Sequence, residues 1–184
     1  MWRVIVITPE ETFQGEVEQI KRVIECGVFR LHLRHPKSSE LELRKIIEGL
    51  TPEERKRIVL HDFYNLVSEY GLGGAHLNGR HLESADICTS RSCHSLAEVE
   101  ASKDMDYCFL SPIFDSVSKE GYKSNFAEVE LLEAKEKGII NDNVIASINN
   151  FSPAIKFLIK FLSTFSVSTF LLPIARPKFC FSIV

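Results

Sequence analysis

No stretch of this chain is long and apolar enough to cross a bilayer as a helix. The uncharged run from Phe161 to Ala175 is fifteen residues long and contains Pro173, where a spanning helix needs roughly 20. Paired-cysteine signals are missing as well. The five cysteines (Cys26, Cys88, Cys93, Cys108, Cys180) are an odd number with no C-x-x-C spacing, which suits a reducing compartment. Cys26, Cys88 and Cys108 lie in apolar stretches and are expected as buried, inert thiols. Charge of one sign is not in excess: 22 Lys+Arg against 25 Asp+Glu gives a net charge of -3 and a pI near 6.1, so no nucleic-acid partner is expected. Neither G-x-G-x-x-G nor G-x-x-x-x-G-K occurs, which counts against dinucleotide and P-loop sites. The cluster Gly71-Leu72-Gly73-Gly74 precedes a strand and reads as a turn. The amino terminus runs from Met1 directly into the strand pattern Trp2 to Ile7 with no apolar signal segment, so a cytoplasmic protein is expected.

At 184 residues with 45% hydrophobic and 26% charged residues, the chain has ordinary globular proportions and the length of one domain. Short apolar runs alternate with helical periodicity. Strands are predicted at Trp2–Ile7, Val28–Leu33, Ile58–Leu60, Gly74–Leu77, around Ile87-Cys88, at Tyr107–Leu110 and at Val144–Ala146. Helices are predicted over Gln14–Cys26, ended by Gly27, and from Ser39 to Gly49, opened by a capping box. Thr51-Pro52-Glu53-Glu54 repeats that signature with proline at the first helical position. Further helices are read at Phe63–Tyr70, after the cap Ser95, and at Glu128–Lys137. Seven strands alternating with helices predict an α/β fold, a (β/α)8 TIM barrel in preference to an open doubly wound sheet.

In such a fold, polar groups at the carboxyl ends of strands converge on one rim. Arg34 and Lys37 stand just beyond the second strand, where a guanidinium fork and an ammonium suit phosphate oxygens. The alternative is that Arg34 pairs with a strand-end carboxylate. His32 alternates with Leu31 and Leu33 and so faces inward, either toward a ligand or as a hydrogen-bonded core histidine. His61-Asp62 follows the third strand. Asp62 is placed to hold Mg²⁺, to cap the helix after it, or both. His76 lies within the fourth strand, and Ser92 is read as following the fifth. Cys93-His94 is not read as a nucleophile pair, since sequence neighbours rarely point together. Ser116, Ser118 and Lys119, in the loop after the sixth strand, suit a lid over an anion. His32-x-x-His35 lacks the one-residue spacing that turns two rings inward on one strand, which argues against a histidine-ligated metal hydrolase.

The ordered set Leu31-His32-Leu33-Arg34, His61-Asp62, Gly74-Ala75-His76-Leu77, Ser92-Cys93-His94-Ser95 and Asp106 through Ser111-Pro112-Ile113-Phe114 to Ser118-Lys119 resembles the thiamine-phosphate synthase / TenI family. It covers about residues 1–148. The resemblance implies a (β/α)8 barrel, usually a homodimer, acting on small phosphorylated substrates. The family's synthase members join hydroxymethylpyrimidine pyrophosphate to thiazole phosphate with Mg²⁺ and release pyrophosphate, which the resemblance implies here. It further implies that Arg34 and Lys37 hold the pyrophosphate and that Asp62 binds Mg²⁺. Ser92 would lie by the departing group, Lys119 would close over it, and Ser116 and Ser118 would touch phosphate. The resemblance also places His32, His61 and His76 in the substrate pocket.

The chain departs from that family's pattern in places. His32 stands for a glutamine, His61 for an asparagine, and His81 for a second acidic metal ligand. The glycine pair expected after Val144–Ala146, where backbone N–H groups would approach the thiazole phosphate, is absent. The other readings are a TenI-like thiazole tautomerase and a non-catalytic relative that binds thiazole or thiamine phosphates. Against the tautomerase, Pro112 stands about where that branch has its histidine. The composition changes after residue 150. No glycine follows Gly138, no acid follows Asp142, and Phe151–Val184 holds seven of the thirteen phenylalanines. Residues 1–150 are read as the barrel. Residues 151–184 are either its last helix and an eighth strand at Ser166–Leu172, or an ending from a shifted reading frame.

Overall fold

The computed structural model describes residues 4–78, 87–113, 126–146 and 180–183. Its strands are β1 (Val4–Ile7), β2 (Arg30–Leu33), β3 (Ile58–Leu60), β4 (Gly74–Leu77), β5 (Cys88–Cys93), β6 (Tyr107–Leu110), β7 (Val144–Ala146) and β8 (Cys180–Ile183). The helices between them are α1 (Glu16–Glu25), α2 (Glu40–Glu48), α3 (Pro52–Arg55), α4 (Asn65–Tyr70), α5 (Leu96–Glu100) and α6 (Glu128–Glu136). The sheet order is β7-β6-β5-β4-β3-β2-β1-β8. The first seven strands pair parallel, each with its sequence neighbour. β8 pairs antiparallel with β1, Val4 opposite Ile183 and Ile7 opposite Cys180. The expected strand at Ser166–Leu172 lies outside the described residues.

The sheet curls. Ile5 of β1 shares an apolar cluster with Tyr107 and Phe109 of β6 and Ile145 of β7. Five strand spacings separate β1 from β6, about 24 Å across a flat sheet, so these side chains meet only because the strands wrap toward a barrel. The convex face carries the main core. Leu31, Leu33, Ile58, Leu60 and Ala75 pack under Ile20 of α1, Leu43, Ile46 and Ile47 of α2, and Leu66 and Val67 of α4. Each fully buried aliphatic side chain contributes about 1.5–3 kcal/mol.

Local signals explain most of the boundaries. Ser39 and Glu42 form a reciprocal capping box, with Ser39 N donating to Glu42 Oε2 at 2.8 Å. Thr51 and Glu54 form another, at 2.7 Å, with Pro52 in the first turn of α3. Ser95 Oγ accepts from Glu98 N at the start of α5. The glycine cluster is needed for two different reasons. Gly71 ends α4 in the left-handed region at φ 64. At Gly73 the chain passes so close to the Lys56 carbonyl that a Cβ would collide with it.

Three expectations change. The helix after β3 begins at Asn65 rather than Phe63, because Phe63 itself takes a left-handed φ of 53. β5 runs on through Cys93, so Ser92 lies inside the strand and not after it. Cys26 is exposed, at the end of α1, with Sγ donating to the Arg22 carbonyl. Cys108 is buried as expected, and so is Cys93.

Candidate active site

Strand alternation sorts the chemistry. Side chains of odd-numbered Leu31 and Leu33 join the convex core, so His32 between them points into the concave side. There it meets the rings of His61, His76 and Phe109 at centroid distances of 5.1, 5.2 and 5.3 Å. His61 follows Leu60 of β3 and stacks on His76 of β4 at 4.3 Å. His32, His61 and His76 are all buried.

Their hydrogen bonds form two short chains. His32 Nδ1 faces His61 Nε2 at 2.9 Å, and His32 Nε2 bonds the Tyr107 hydroxyl at 2.7 Å. His76 Nδ1 bonds Ser90 Oγ at 2.8 Å and its Nε2 bonds Ser92 Oγ at 2.9 Å. A neutral imidazole has one donor and one acceptor nitrogen, so each chain carries its hydrogens in one sense at a time. Burial holds the His32 and His76 rings neutral. It drives the His32 pKa well below its ordinary value, aided by nearby His76 and the Arg30 guanidinium. It lowers His76 to about 3, with Arg34 as the second cause. Burial also pushes the Tyr107 phenol up to about 12, so the phenol stays protonated and able to donate.

The cations occupy the carboxyl edge. Arg34 acts electrostatically on His76 and bonds Glu10 Oε1 at 2.7 Å, which uses one of its five N–H groups. Lys37 is more exposed and pairs with Glu11 at 3.1 Å. Both acids sit in the loop after β1, so the expected strand-end carboxylate partner of Arg34 is present. Asp62 follows β3 and is half-buried. It does not cap α4, which has no side-chain cap and starts beyond it. The left-handed φ of Phe63 is costly for a bulky side chain, and strain of this kind concentrates where a turn must hold a functional group.

The structure thus brings His32, His61, His76 and Ser92 together, with Arg34 beside them. Asp62 adjoins His61 in sequence at the same edge. Lys37 is instead on the surface. His35 points the other way from His32: it is buried, with Nε2 at 2.8 Å from Glu16 Oε1. That separation suits an ion pair, but the two groups are out of line for a hydrogen bond. Pro112 is buried just past β6, and His94 bonds the Ser111 carbonyl. Ser116, Ser118, Lys119 and His81 lie outside the described residues.

Sequence reasoning missed Tyr107 and Ser90. Every residue of β6 is buried (Tyr107, Cys108, Phe109, Leu110), so no polar alternation marks Tyr107 as inward. Ser90 is visible only once β5 is extended. Among the described residues, the three histidines also form a group able to hold a metal ion. The within-strand spacing rule could not find it, because the rings come from β2, β4 and the residue just after β3.

Against known proteins, residues 4–149 match the sequence profile of the family described as thiamine monophosphate synthase. Twelve solved chains match significantly. A thiamine phosphate pyrophosphorylase from Bacteroides thetaiotaomicron is 31% identical with a TM-score of 0.71. The match covers 86% of this chain and 78% of that one. A thiamine phosphate pyrophosphorylase from Pyrococcus furiosus is 17% identical with a TM-score of 0.55, covering 74% and 71%, which is a likeness of fold. No curated protein matches significantly. Among the described residues, no helix is long and apolar enough to cross a membrane.

Proposed function

The chain belongs to the thiamine monophosphate synthase family, and from that membership we propose that it couples hydroxymethylpyrimidine pyrophosphate to thiazole phosphate. The thiazole nitrogen attacks the exocyclic carbon of the pyrimidine. The C–O bond to pyrophosphate breaks, and its electron pair leaves with the pyrophosphate. The electron-rich pyrimidine tolerates the developing positive charge, so the protein's task is to stabilise the leaving anion.

The observation that carries this reading is the guanidinium-bearing Arg34 just past the end of β2, with the buried His76 bonded to Ser92, at the carboxyl edge of a parallel α/β sheet. Ligands of such sheets bind at that edge. Arg34 offers its fork to the pyrophosphate, trading the exposed Glu10 for a more highly charged partner, and Lys37 adds a point charge beyond it. The buried His76 ring orients the Ser92 hydroxyl toward the same anion. The three imidazoles and Phe109 give the pyrimidine an aromatic, hydrogen-bonding floor. Ser116, Ser118 and Lys119 would close over the phosphates.

Mg²⁺ would be held by Asp62. The donor set fits a hard cation in one respect: magnesium keeps several waters and needs only one or two carboxylates plus substrate phosphates. When bound, it would neutralise charge on the pyrophosphate. This chemistry asks little acid–base work of the protein, in keeping with rings that burial keeps neutral.

The test is pyrophosphate release on mixing both substrates with Mg²⁺. Stoichiometric pyrophosphate and thiamine phosphate are expected. Folded protein that binds either substrate and releases none would end the catalytic claim and leave a binding role. Interconversion of thiazole carboxylate phosphate isomers without metal would put a tautomerase in its place.

A further inference from the structure

The three buried histidines offer a second kind of chemistry. One ring nitrogen from each of His32, His61 and His76 lies within 4.8 Å of the other two. A tetrahedral zinc ion with Zn–N bonds of about 2.0–2.1 Å keeps its nitrogens about 3.3 Å apart. His32 Nδ1 and His61 Nε2, at 2.9 Å, are already near that spacing. Bringing in the third needs a ring movement of about 1.5 Å or less, which small side-chain rotations supply. The two facing nitrogens share a single proton, and a divalent ion can take its place between them.

The surroundings support ligation independently. Metal-bound imidazoles are usually oriented through their second nitrogen by a hydroxyl, carbonyl or carboxylate. His32 Nε2 has the Tyr107 hydroxyl at 2.7 Å, and His76 has a serine hydroxyl on each nitrogen, so one remains when the other binds metal. His32 and His76 sit in β2 and β4, and His61 directly follows β3, which lies between them in the sheet. The group contains imidazole alone, with no carboxylate. Hard cations such as Mg²⁺ and Ca²⁺ prefer oxygen donors, whereas Zn²⁺ and Co²⁺ accept nitrogen readily.

We propose that His32, His61 and His76 form a binding site for a borderline divalent transition-metal ion of the Zn²⁺ or Co²⁺ type. Three protein ligands leave a fourth position for water or a heteroatom of a bound ligand. The site shares its imidazoles with the proposed pyrimidine floor but uses neither Asp62 nor the phosphate-facing cations, and a metal titration without substrate reads it separately from the transferase reaction.

The whole chain, stripped with chelator and dialysed, is titrated with Co²⁺ and followed by its visible d–d absorption. One ion per chain is expected, displaced by Zn²⁺ and unaffected by excess Mg²⁺. Affinity should fall at least 100-fold in His61→Asn and in His32→Gln, and stay unchanged in His94→Asn, which alters an exposed histidine. X-ray absorption of the zinc-loaded wild type adds a reading that needs no variant to fold, with three imidazole nitrogens at about 2.0 Å. Absence of the Co²⁺ bands, bands that persist in His61→Asn, or fewer than three imidazoles around zinc would each overturn the proposal.

Discussion

Acid should unfold the metal-free protein by a route that runs through His76. Its pKa is about 3 in the folded chain, against an ordinary value of 6.5. The sign follows from the direction of the shift. A ring held neutral by folding contributes its stability fully above pH 6.5, and that contribution is lost as pH falls toward 3. At pH 5 the unfolded ring is almost wholly protonated and the folded ring is not, so unfolding takes up nearly one proton. Stability then falls by about 1.3 kcal/mol per pH unit. Summed from pH 7 to pH 4, His76 alone removes about 3 kcal/mol from a total that for a domain is typically about 5–15 kcal/mol. His32 is shifted the same way and adds to the loss. Urea unfolding with chelator present, at intervals across that range, measures the slope. Carboxylates such as Glu42 and Glu69, whose pKa values are lowered by their hydrogen bonds, also lose stability in acid, so the comparison that matters is with His76→Gln. The variant should lose about 3 kcal/mol less than wild type between pH 7 and pH 4. Parallel curves would mean that the ring titrates in the folded protein, and that its burial between Ser90 and Ser92 is not what holds it neutral.

Gly73→Ala should destabilise the fold by more than about 2 kcal/mol, because the new Cβ meets the Lys56 carbonyl and opposes the 2.8 Å bond from Gly73 N to the Ile58 carbonyl; the denaturation midpoint reads it. Leu31→Ala should cost about 2–5 kcal/mol, as it opens a cavity between β2 and the helices in a fully buried position. Ser39→Ala, which removes one half of a capping box on an exposed helix end, should cost only about 1 kcal/mol by the same measurement. Arg34→Gln should lower kcat/KM for pyrophosphate release by about 10²-fold, with fold and denaturation midpoint little changed; unchanged kinetics would remove Arg34 from the anion site.

The strand order and the helix starts were legible because they are written in local chemistry. The β-branched run at Val4–Ile7, the Ser39–Glu42 and Thr51–Glu54 boxes, and the glycines after α1, α4 and α6 each act within a few residues. Errors arose where a local signal was outweighed. Phe63 fits a helical pattern but is forced into a left-handed turn. The strand pattern around Ile87-Cys88 underestimated β5, because Ser90 and Ser92 are polar residues on an inward face. Cys26 lies among apolar residues, yet α1 turns it outward as the helix ends.

The candidate site was half legible. Placing polar residues near the carboxyl ends of parallel strands anticipated a convergence of histidines, and His32, His61 and His76 do meet, whereas His35 turns to Glu16, His94 bonds the Ser111 carbonyl and Ser92 lies inside β5 and not after it. What sequence could not supply was distance. Whether Arg34 reaches His76 or stays with Glu10, and whether Tyr107 of β6 touches His32 of β2, depends on how tightly seven strands curl. That curl is set by packing over the whole sheet and not by any one segment. Sequence by itself determined that His32 faces away from Leu31 and Leu33, because a strand's side chains alternate whatever surrounds it. Only the tertiary structure decided which inward residues share a hydrogen bond, because partners such as His32 and Tyr107 are 75 positions apart in the chain and are brought together by the curl of the sheet.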